Sequence, residues 1–313
     1  MTTPSGFPEA GLQSMAGYAL LRTLPPVLRA RDFHLYTQSR REEGGRLVDL
    51  WQNGGAAVLG HKPLAVLREF KNAASRGLFG PLPHPLEKRF FKALARIFPR
   101  RSFRVYGPGA SPAEIWEAAG LSGPVFDPAL PAPSGSGEAE AAVSLWRPFL
   151  DEKAPLAVPD RGPPVLVPLL PGLGWIQGRP SGPLVLALDP AFEAEHPFPP
   201  PDIIPPALLA ALTRGIYDLI AAAPDRGRPS VPAVAAALSP GAWRRRGIYL
   251  SPEEPPEPGA WEVTFRRFLE GGFLIPPDSG EPLILPGLLS PGEGAKLAGL
   301  FRGKTEKREP LLR

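Results

Sequence analysis

Few residues in this sequence have the type and spacing that catalysis usually needs. It has no cysteine, which excludes disulfides, thiolate metal sites and cysteine nucleophiles. The four histidines are scattered without the spacing of metal ligands, so we expect no metal site. Lysine, the primary amine that Schiff-base chemistry requires, is absent between Lys153 and Lys296. We therefore assign no catalytic residue from the sequence.

One place in the middle of the chain offers donors for an anion. A strand predicted at Phe103–Tyr106 runs into a helix predicted from Ser111. Backbone N–H groups at a helix start can bind a phosphate, and Gly109, Ala110 and Ser111 are the candidates for this contact. Ser111-Pro112-Ala113-Glu114 is also a capping box that occupies the same donors. Plain capping and anion binding therefore compete at this helix start.

Other polar residues offer weaker signals. Asp189 ends the apolar strand predicted at Leu184–Leu188, a position typical of a turn or cap residue. A lone His61 is more typical of a structural role than of catalysis. The cluster Arg244-Arg245-Arg246 is typical of a solvated surface, although it could also meet an anionic ligand or partner.

The elements that would position these residues alternate between helices and strands. The spacing predicts helices from Pro63, over 86–98 with an apolar face, over Val143–Leu150 and over Ala207–Ala223. Unbroken apolar runs at Pro164–Leu170 and Leu184–Leu188 predict strands buried in a mainly parallel sheet. Residues 120–140 are predicted to be a linker, with local disorder over Pro131–Gly137. Near the carboxyl terminus we expect strands at Gly247–Leu250, Phe273–Ile275 and Leu283–Leu285 and capped helices over Trp261–Glu270 and Pro291–Phe301.

Two segments at the ends of the chain carry a family resemblance. The run Glu43–Pro63 contains an acidic residue, glycines, a short strand, Asp49-Leu50, a Gly-rich turn and Leu59-Gly60-His61-x-x-Pro63. It resembles the amino-terminal segment of class III aminotransferases, which are pyridoxal-phosphate enzymes of fold type I. The run from Phe265 to Ser290 is similar to the carboxyl-terminal small domain of glutamate-1-semialdehyde aminotransferase-like members.

The resemblance implies a fold and a division into domains. We expect an α/β fold type I architecture, with a mainly parallel central sheet flanked by helices and a small α+β carboxyl-terminal domain. Residues 1–100 would contribute to the small domain and a dimer interface, and residues 101–225 would form a reduced large α/β domain. Residues 226–302 would form the small domain, and residues 303–313 a charged tail.

The chemistry of the family is altered in this sequence. The family's phosphate-binding hydroxyl corresponds to Ala110, Pro112 lacks an N–H donor, and the acidic pair at the strand end is reduced to Asp189. No lysine follows that strand, and a nearby Arg214 cannot replace one. We therefore expect no resident cofactor, with pyridoxal phosphate binding only if the degenerate site at Gly109, Ala110, Ser111 and Asp189 is retained.

Three functions remain open from the sequence. The first is a shortened, degenerate class III aminotransferase-like pseudoenzyme that acts as a homodimer or as a heterodimer with an active homologue. The second is a shortened aminotransferase-like enzyme that uses Lys153 or another displaced lysine. The third is a proline-rich binding or scaffold protein, since proline and glycine account for 45 and 34 residues.

Composition limits the environment and the partners. A hydrophobic content of 43%, a charged content of 21% and a net charge of +4 are typical of a soluble globular protein. No basic stripe interleaved with aromatics indicates nucleic-acid binding, and no apolar run is long enough for a membrane span. We expect a cytoplasmic protein without a signal peptide that binds neither nucleic acid nor membrane.

Overall fold

The computed structural model describes most of the chain. The described residues are 17, 19–38, 45–107, 110–122, 125–131, 143–158, 162–167, 175–176, 179–180, 182–226, 232–238, 242–257 and 259–303. The predictions for Gly109, for disorder over 132–137 and for the tail over 304–313 fall outside these residues.

The described residues form both helices and short strands. The helices are α1 (Leu64–Ala74), α2 (Leu86–Leu94), α3 (Pro112–Ala118), α4 (Pro190–Glu195), α5 (Pro206–Arg226), α6 (Pro232–Ala235), α7 (Ala260–Glu270) and α8 (Pro291–Phe301). The strands are β1 (Val27–Arg31), β2 (His34–Thr37), β3 (Gly45–Asp49), β4 (Ser102–Tyr106), β5 (Val125–Phe126), β6 (Val143–Leu145), β7 (Val165–Leu166), β8 (Trp175–Ile176), β9 (Arg179–Pro180), β10 (Leu184–Leu188), β11 (Trp243–Arg246), β12 (Tyr249–Pro252), β13 (Phe273–Leu274) and β14 (Leu283–Ile284).

A five-stranded sheet, called the large sheet below, has the strand order β4-β10-β7-β6-β5. Strands β5, β6 and β7 pair in parallel, while β10 pairs antiparallel with both β7 and β4. Four strands therefore point in one direction and β10 runs against them. This arrangement confirms the predicted α/β fold with a mainly parallel central sheet.

Both faces of the large sheet are buried, as its unbroken apolar strands predict. Leu184, Leu186 and Leu188 lie on one face, in a cluster with Ile115 and Trp116 of α3. The alternate residues of β10, at positions 185 and 187, belong to the larger core on the other face. That core also contains buried residues of α2, α5, α7 and α8.

The beginning and the end of the described chain share a second sheet. Its order is β1-β2-β3-β13, and β13 pairs in parallel with β3. Helix α7 ends just before β13, and Gly272 between them has a φ of 86°, which favours glycine. Strands β11, β12 and β14 form a separate antiparallel sheet. The carboxyl-terminal segment thus supplies strands to two sheets.

Local signals for helix boundaries are confirmed where the sequence is most explicit. The Ser290 side chain accepts a bond from the Glu293 N–H, and the Glu293 carboxylate accepts one from the Ser290 N–H at 2.9 Å. Pro291 occupies the first turn of α8, where its missing N–H costs no hydrogen bond. The capping box predicted at this helix start is therefore present in full.

Two predictions for the middle of the chain are wrong. The predicted linker over 120–140 contains strand β5, and the predicted helix over Val143–Leu150 is strand β6 followed by irregular backbone. Strand β6 pairs with β5 on one side and with β7 on the other. This pairing between distant segments outweighs the helical spacing of the apolar residues.

Helix α5 is long and apolar, and one side of it packs in the protein core. It is the one helix among the described residues with the length and hydropathy of a membrane span. Residues including Leu209, Leu212 and Ile216 are buried in the main core, and α5 contacts α1 and α2. Its length and composition are explained by this packing.

Candidate functional site at the carboxyl edge of the large sheet

The predicted anion site follows β4, and several N–H groups near it are bonded within the protein. Ser111 caps α3, since its hydroxyl accepts a bond from the Glu114 N–H at 3.4 Å. The Ala110 N–H donates to the Gly107 carbonyl at 3.1 Å. The Gly107 N–H donates to the carboxylate of Asp202 at 2.7 Å. A negative side chain therefore lies where β4 ends, next to the place where a phosphate would have to bind.

Asp189 lies at the opposite edge of the large sheet. Because β10 is antiparallel to β4, Leu188 is paired with Ser102 at the start of β4, while Ser111 follows the far end of that strand. The five residues of β4 separate the two edges by about 13 Å, at about 3.3 Å per residue. Asp189 caps α4 by accepting a bond from the Ala191 N–H at 3.0 Å. The structure does not bring Asp189 together with Ala110 and Ser111.

No described lysine reaches the interior. The described lysines are Lys62, Lys71, Lys88, Lys92, Lys153 and Lys296, and each is exposed. Lys153 lies on the segment between β6 and β7, and Lys296 lies on the solvent side of α8. No lysine of any kind occurs between these two positions in the sequence.

A buried ion pair that the sequence reasoning missed follows two neighbouring parallel strands. Asp127 comes directly after β5, and Arg147 follows β6. The two are joined at 2.5 Å, with 2% of the Arg147 side chain and 12% of the Asp127 side chain exposed. Burial alone would lower the pKa of Arg147, but the Asp127 carboxylate raises it above its usual range. The local signal was a short apolar pair before Asp127-Pro128, inside the segment predicted to be a linker.

The same arginine connects the large sheet to the motif near the amino terminus. Arg147 Nη1 donates to the Gly54 carbonyl at 3.2 Å. Its guanidinium lies 5.6 Å from the ring centre of Tyr249, whose hydroxyl donates to the Pro148 carbonyl at 2.7 Å. Burial raises the pKa of Tyr249 far above that of an exposed tyrosine. Tyr249 is therefore neutral at physiological pH and acts as a donor.

The motif over residues 49–61 folds around one buried carboxylate. Asp49 Oδ1 accepts bonds from the Trp51 and Gln52 N–H groups, both at 2.8 Å. Its other oxygen lies 2.8 Å from His61 Nε2. The indole of Trp51 in turn donates to Glu281 at 2.6 Å. Asp49 and His61 hold the turn after β3 in place, which is the structural role expected of His61.

A cavity of about 550 Å³ lies against the large sheet. Its floor includes Phe126, Ser144 and Val165, which the strand register places on the same face. Residues 150–158 contribute several lining positions, and Arg246 reaches the cavity from β11. The cavity also extends to Pro163 and Arg101, which lie before β7 and β4.

These groups limit the chemistry that the described residues can perform. No three histidine, aspartate or glutamate side chains come together there in an arrangement that could hold a metal ion. Among the described residues, the edge where β4, β5, β6 and β7 end presents Asp202 and the paired Asp127 and Arg147, and no lysine. These residues therefore supply no amine for pyridoxal phosphate, and the Gly107 and Ala110 N–H groups are already bonded.

Comparison with known proteins gives relatives without an assigned function. No protein-family model matches the sequence. An uncharacterised protein of Treponema pallidum (strain Nichols) is 29% identical over 303 residues, covering 86% of this chain and 91% of the relative. An uncharacterised protein of Borreliella burgdorferi is 37% identical over 79 residues, covering 25% of this chain and 28% of the relative.

Solved structures give a consistent answer about architecture. Ornithine δ-aminotransferase from Plasmodium falciparum superposes with a TM-score of 0.62 at 12% identity, over 93% of this chain and 97% of that one. Acetylornithine aminotransferase from Elizabethkingia anophelis gives 0.55 at 12% identity, over 90% and 94% of the two chains. An omega-transaminase from Sphaerobacter thermophilus gives 0.54 at 13% identity, over 96% and 97%. The chain has the fold of the pyridoxal-phosphate-dependent aminotransferases of fold type I.

Proposed function

We propose that this chain is an aminotransferase-fold protein that has lost Schiff-base catalysis and acts as a non-catalytic homodimer or as the partner of an active homologue. The observation that carries this proposal is that none of the described residues at the carboxyl edge of the large sheet is a lysine. The sequence has no lysine between Lys153 and Lys296, and every described lysine is exposed. An internal aldimine needs a primary amine, which arginine cannot supply.

The surroundings of the expected phosphate position also favour lost catalysis. The Gly107 N–H is bonded to the Asp202 carboxylate, so an approaching phosphate would meet a like charge. The start of α3 has its own side-chain cap at Ser111. Both features remove donors that an anionic cofactor would use.

Exposed apolar side chains support a role in association. Leu64 and Leu67 of α1 are 70% and 48% exposed, although they belong to the apolar stripe that predicts this helix. Phe79 and Leu82, on the segment after α1, are 63% and 54% exposed. The Leu78 carbonyl accepts a bond from Ala207 at the start of α5, which ties this segment to the helix layer. Exposed apolar residues that form a contiguous patch are typical of a protein interface, and these four lie on one helix and the segment that follows it.

The loss of Schiff-base catalysis is tested by trapping the amine. The purified protein is incubated with excess pyridoxal phosphate, reduced with borohydride and mapped by mass spectrometry. We expect scattered, substoichiometric labelling of exposed lysines and no absorbance band of a stable aldimine. Labelling of a single lysine at about one group per chain, as covalent catalysis requires, would overturn the proposal.

One observation favours the alternative of an enzyme with a displaced lysine. Lys153 lies between Asp151 and Ala154, and both of these residues line the cavity. The variant Lys153→Ala, with Lys296→Ala as the matched control, separates the two functions. Amino-donor turnover that disappears in Lys153→Ala alone would establish the enzyme and exclude the non-catalytic proposal.

A further inference from the structure

The cavity against the large sheet has a wall that combines apolar side chains with charged and polar ones. Phe126, Leu150, Val158 and Val165 provide apolar side chains. A volume of about 550 Å³ lies in the range of about 300 to 1,000 Å³ that small-molecule sites occupy. The shape and the apolar floor therefore suit a compact organic ligand rather than an inorganic ion.

The arginines around the cavity are not equivalent. Arg147 is neutralised by Asp127, and Arg245 is paired with Glu152 at 2.7 Å. Half-buried Arg246 has no carboxylate within ion-pair distance among the described residues, and its Nη1 donates to the Pro128 carbonyl at 2.6 Å. Asp151, the acidic residue in the lining, is exposed and accepts a bond from the Lys153 N–H. Arg101, which also lines the cavity, donates to the Pro163 and Ala187 carbonyls. Arg246 is thus a cation in the lining whose charge no described carboxylate balances.

Beside the cavity, a buried indole N–H has no acceptor among the described residues. Trp146 is 3% exposed and lines the cavity, and its indole Nε1 has no hydrogen-bond acceptor in the described part of the chain. A buried donor without an acceptor costs about 1–3 kcal/mol. The hydroxyl of Ser144 is another polar group in the lining. Because the indole nitrogen is shielded from the cavity space, the half-buried Arg246 is the charged donor that a ligand can reach.

Arg246 is held at a fixed position by the hairpin that carries it. Gly247, at the turn between β11 and β12, has a φ of +55°, and a Cβ there would lie 2.0 Å from the Phe149 carbonyl oxygen. The Ile248 N–H donates to the same carbonyl at 3.3 Å. The turn thus packs directly on the segment that borders the cavity. Such rigid placement lowers the entropic cost of binding.

We infer that this cavity binds a small carboxylate with an apolar body, and that Arg246 binds the carboxylate group. A planar guanidinium matches a carboxylate in a bidentate geometry, while Phe126 and Val165 contact the apolar body. The inference assigns a ligand class to part of the Arg244-Arg245-Arg246 cluster. It does not rest on the proposed loss of catalysis, because no lysine is involved.

The test compares a charged probe with its neutral analogue on the full chain. Calorimetric titration with 3-phenylpropionate is set against titration with 3-phenylpropionamide, which keeps the apolar body and removes the charge. We expect the carboxylate to bind at least about tenfold more tightly than the amide, with an affinity that falls at higher salt. Equal affinities, or no binding of the carboxylate up to about 10 mM, would overturn the inference.

Variants locate the binding on the hairpin. Arg246→Met keeps most of the apolar stem and should weaken carboxylate binding at least about tenfold, whereas Arg246→Lys should retain part of it. Arg244→Met is the matched control, because Arg244 lies on the same strand but does not line the cavity. An unchanged affinity in Arg246→Met, or an equal loss in Arg244→Met, would contradict the assignment. The comparison of acid and amide on the unmodified chain remains decisive if Arg246→Met does not fold.

Discussion

Asp49 ends β3 and Asp127 directly follows β5 in a different sheet, and the partners of these two acids differ. Asp49 binds two backbone N–H groups and His61, all within twelve residues of its own position. Asp127 binds the guanidinium of Arg147, twenty residues away, which in turn reaches the Gly54 carbonyl. The first acid stabilises a local turn, and the second joins separate layers of the molecule.

This difference separates a local contribution to stability from a long-range one. The turn around Asp49 is held largely by its own segment, and Arg147 adds one bond to the Gly54 carbonyl. At the carboxyl edge of the large sheet, Asp127 and Arg147 pair across two neighbouring strands. The sequence near Asp49 therefore specifies much of its own structure, whereas the pair at the sheet edge depends on segments that lie apart.

The largest effect is expected at Asp49. Asp49→Ala removes acceptors for Trp51 and Gln52 and the partner of His61, and should lower the free energy of unfolding by about 4 kcal/mol. Asp49→Asn keeps one acceptor oxygen and should cost about 1–2 kcal/mol. Urea unfolding measures both. Asp278→Ala, which removes a single bond to the Gly280 N–H, is the control and should cost less than about 1 kcal/mol. Equal losses in all three variants would show that Asp49 is not a special acceptor.

A smaller loss of stability is expected at the carboxyl edge of the large sheet, where the effects of substituting Arg147 and Asp127 should be coupled. Arg147→Met leaves Asp127 buried without its cation and should cost about 3 kcal/mol. Because the damage comes from an unpaired charge, adding Asp127→Asn to Arg147→Met should restore more than about 1 kcal/mol of the loss. The more exposed pair of Arg245 and Glu152 serves as the control, and Arg245→Met should cost less than about 1 kcal/mol. Strict additivity of the two single losses would contradict a coupled ion pair.

Local features could be predicted from the sequence, whereas pairing between separate segments could not. The capping box at Ser290 and the end of α7 at Gly271-Gly272 are local signals, and both are confirmed. The helix predicted over Val143–Leu150 was wrong because the pairing partners of this segment lie elsewhere in the chain. A two-residue strand such as Val125–Phe126 has too few residues to show a period. Nothing in Leu184–Leu188 indicates strand direction, so the placement of Asp189 at the opposite edge could not be predicted.

The candidate site was less predictable than the fold, for a physical reason. Ser111 was predicted both as a cap and as an anion contact, and local sequence specifies the cap, which is present. Asp202 lies 95 residues from Gly107, so its occupation of that N–H depends on how the chain returns to β4. The Asp127–Arg147 pair likewise required two strands whose pairing no periodicity revealed.

The smallest effect is expected at two partly buried glutamates, Glu293 in α8 and Glu193 in α4. Burial raises the pKa of Glu293, but bonds from the Ser290 N–H and from His34 outweigh it and hold the pKa below its usual range. Glu193 of α4 follows the same logic: burial raises its pKa, and the Ser102 hydroxyl and Arg104 lower it by more. A carboxyl with a lowered pKa in the folded state stabilises the protein above its unfolded pKa, and this contribution is lost as the pH falls through the folded pKa.

Replacing either glutamate should therefore reduce the amount of stability that the protein loses as the pH falls. Glu293→Gln and Glu193→Gln should each cost about 1 kcal/mol at pH 7 and progressively less below about pH 4. Thermal unfolding from pH 7 down to about pH 3 measures the two profiles, with Glu262→Gln as the control, because Glu262 forms an exposed pair with Arg266. Since the two sites share no partners, the double variant should lose the sum of the single effects. A double variant that loses much more than this sum would contradict the picture of two regions that are stabilised independently.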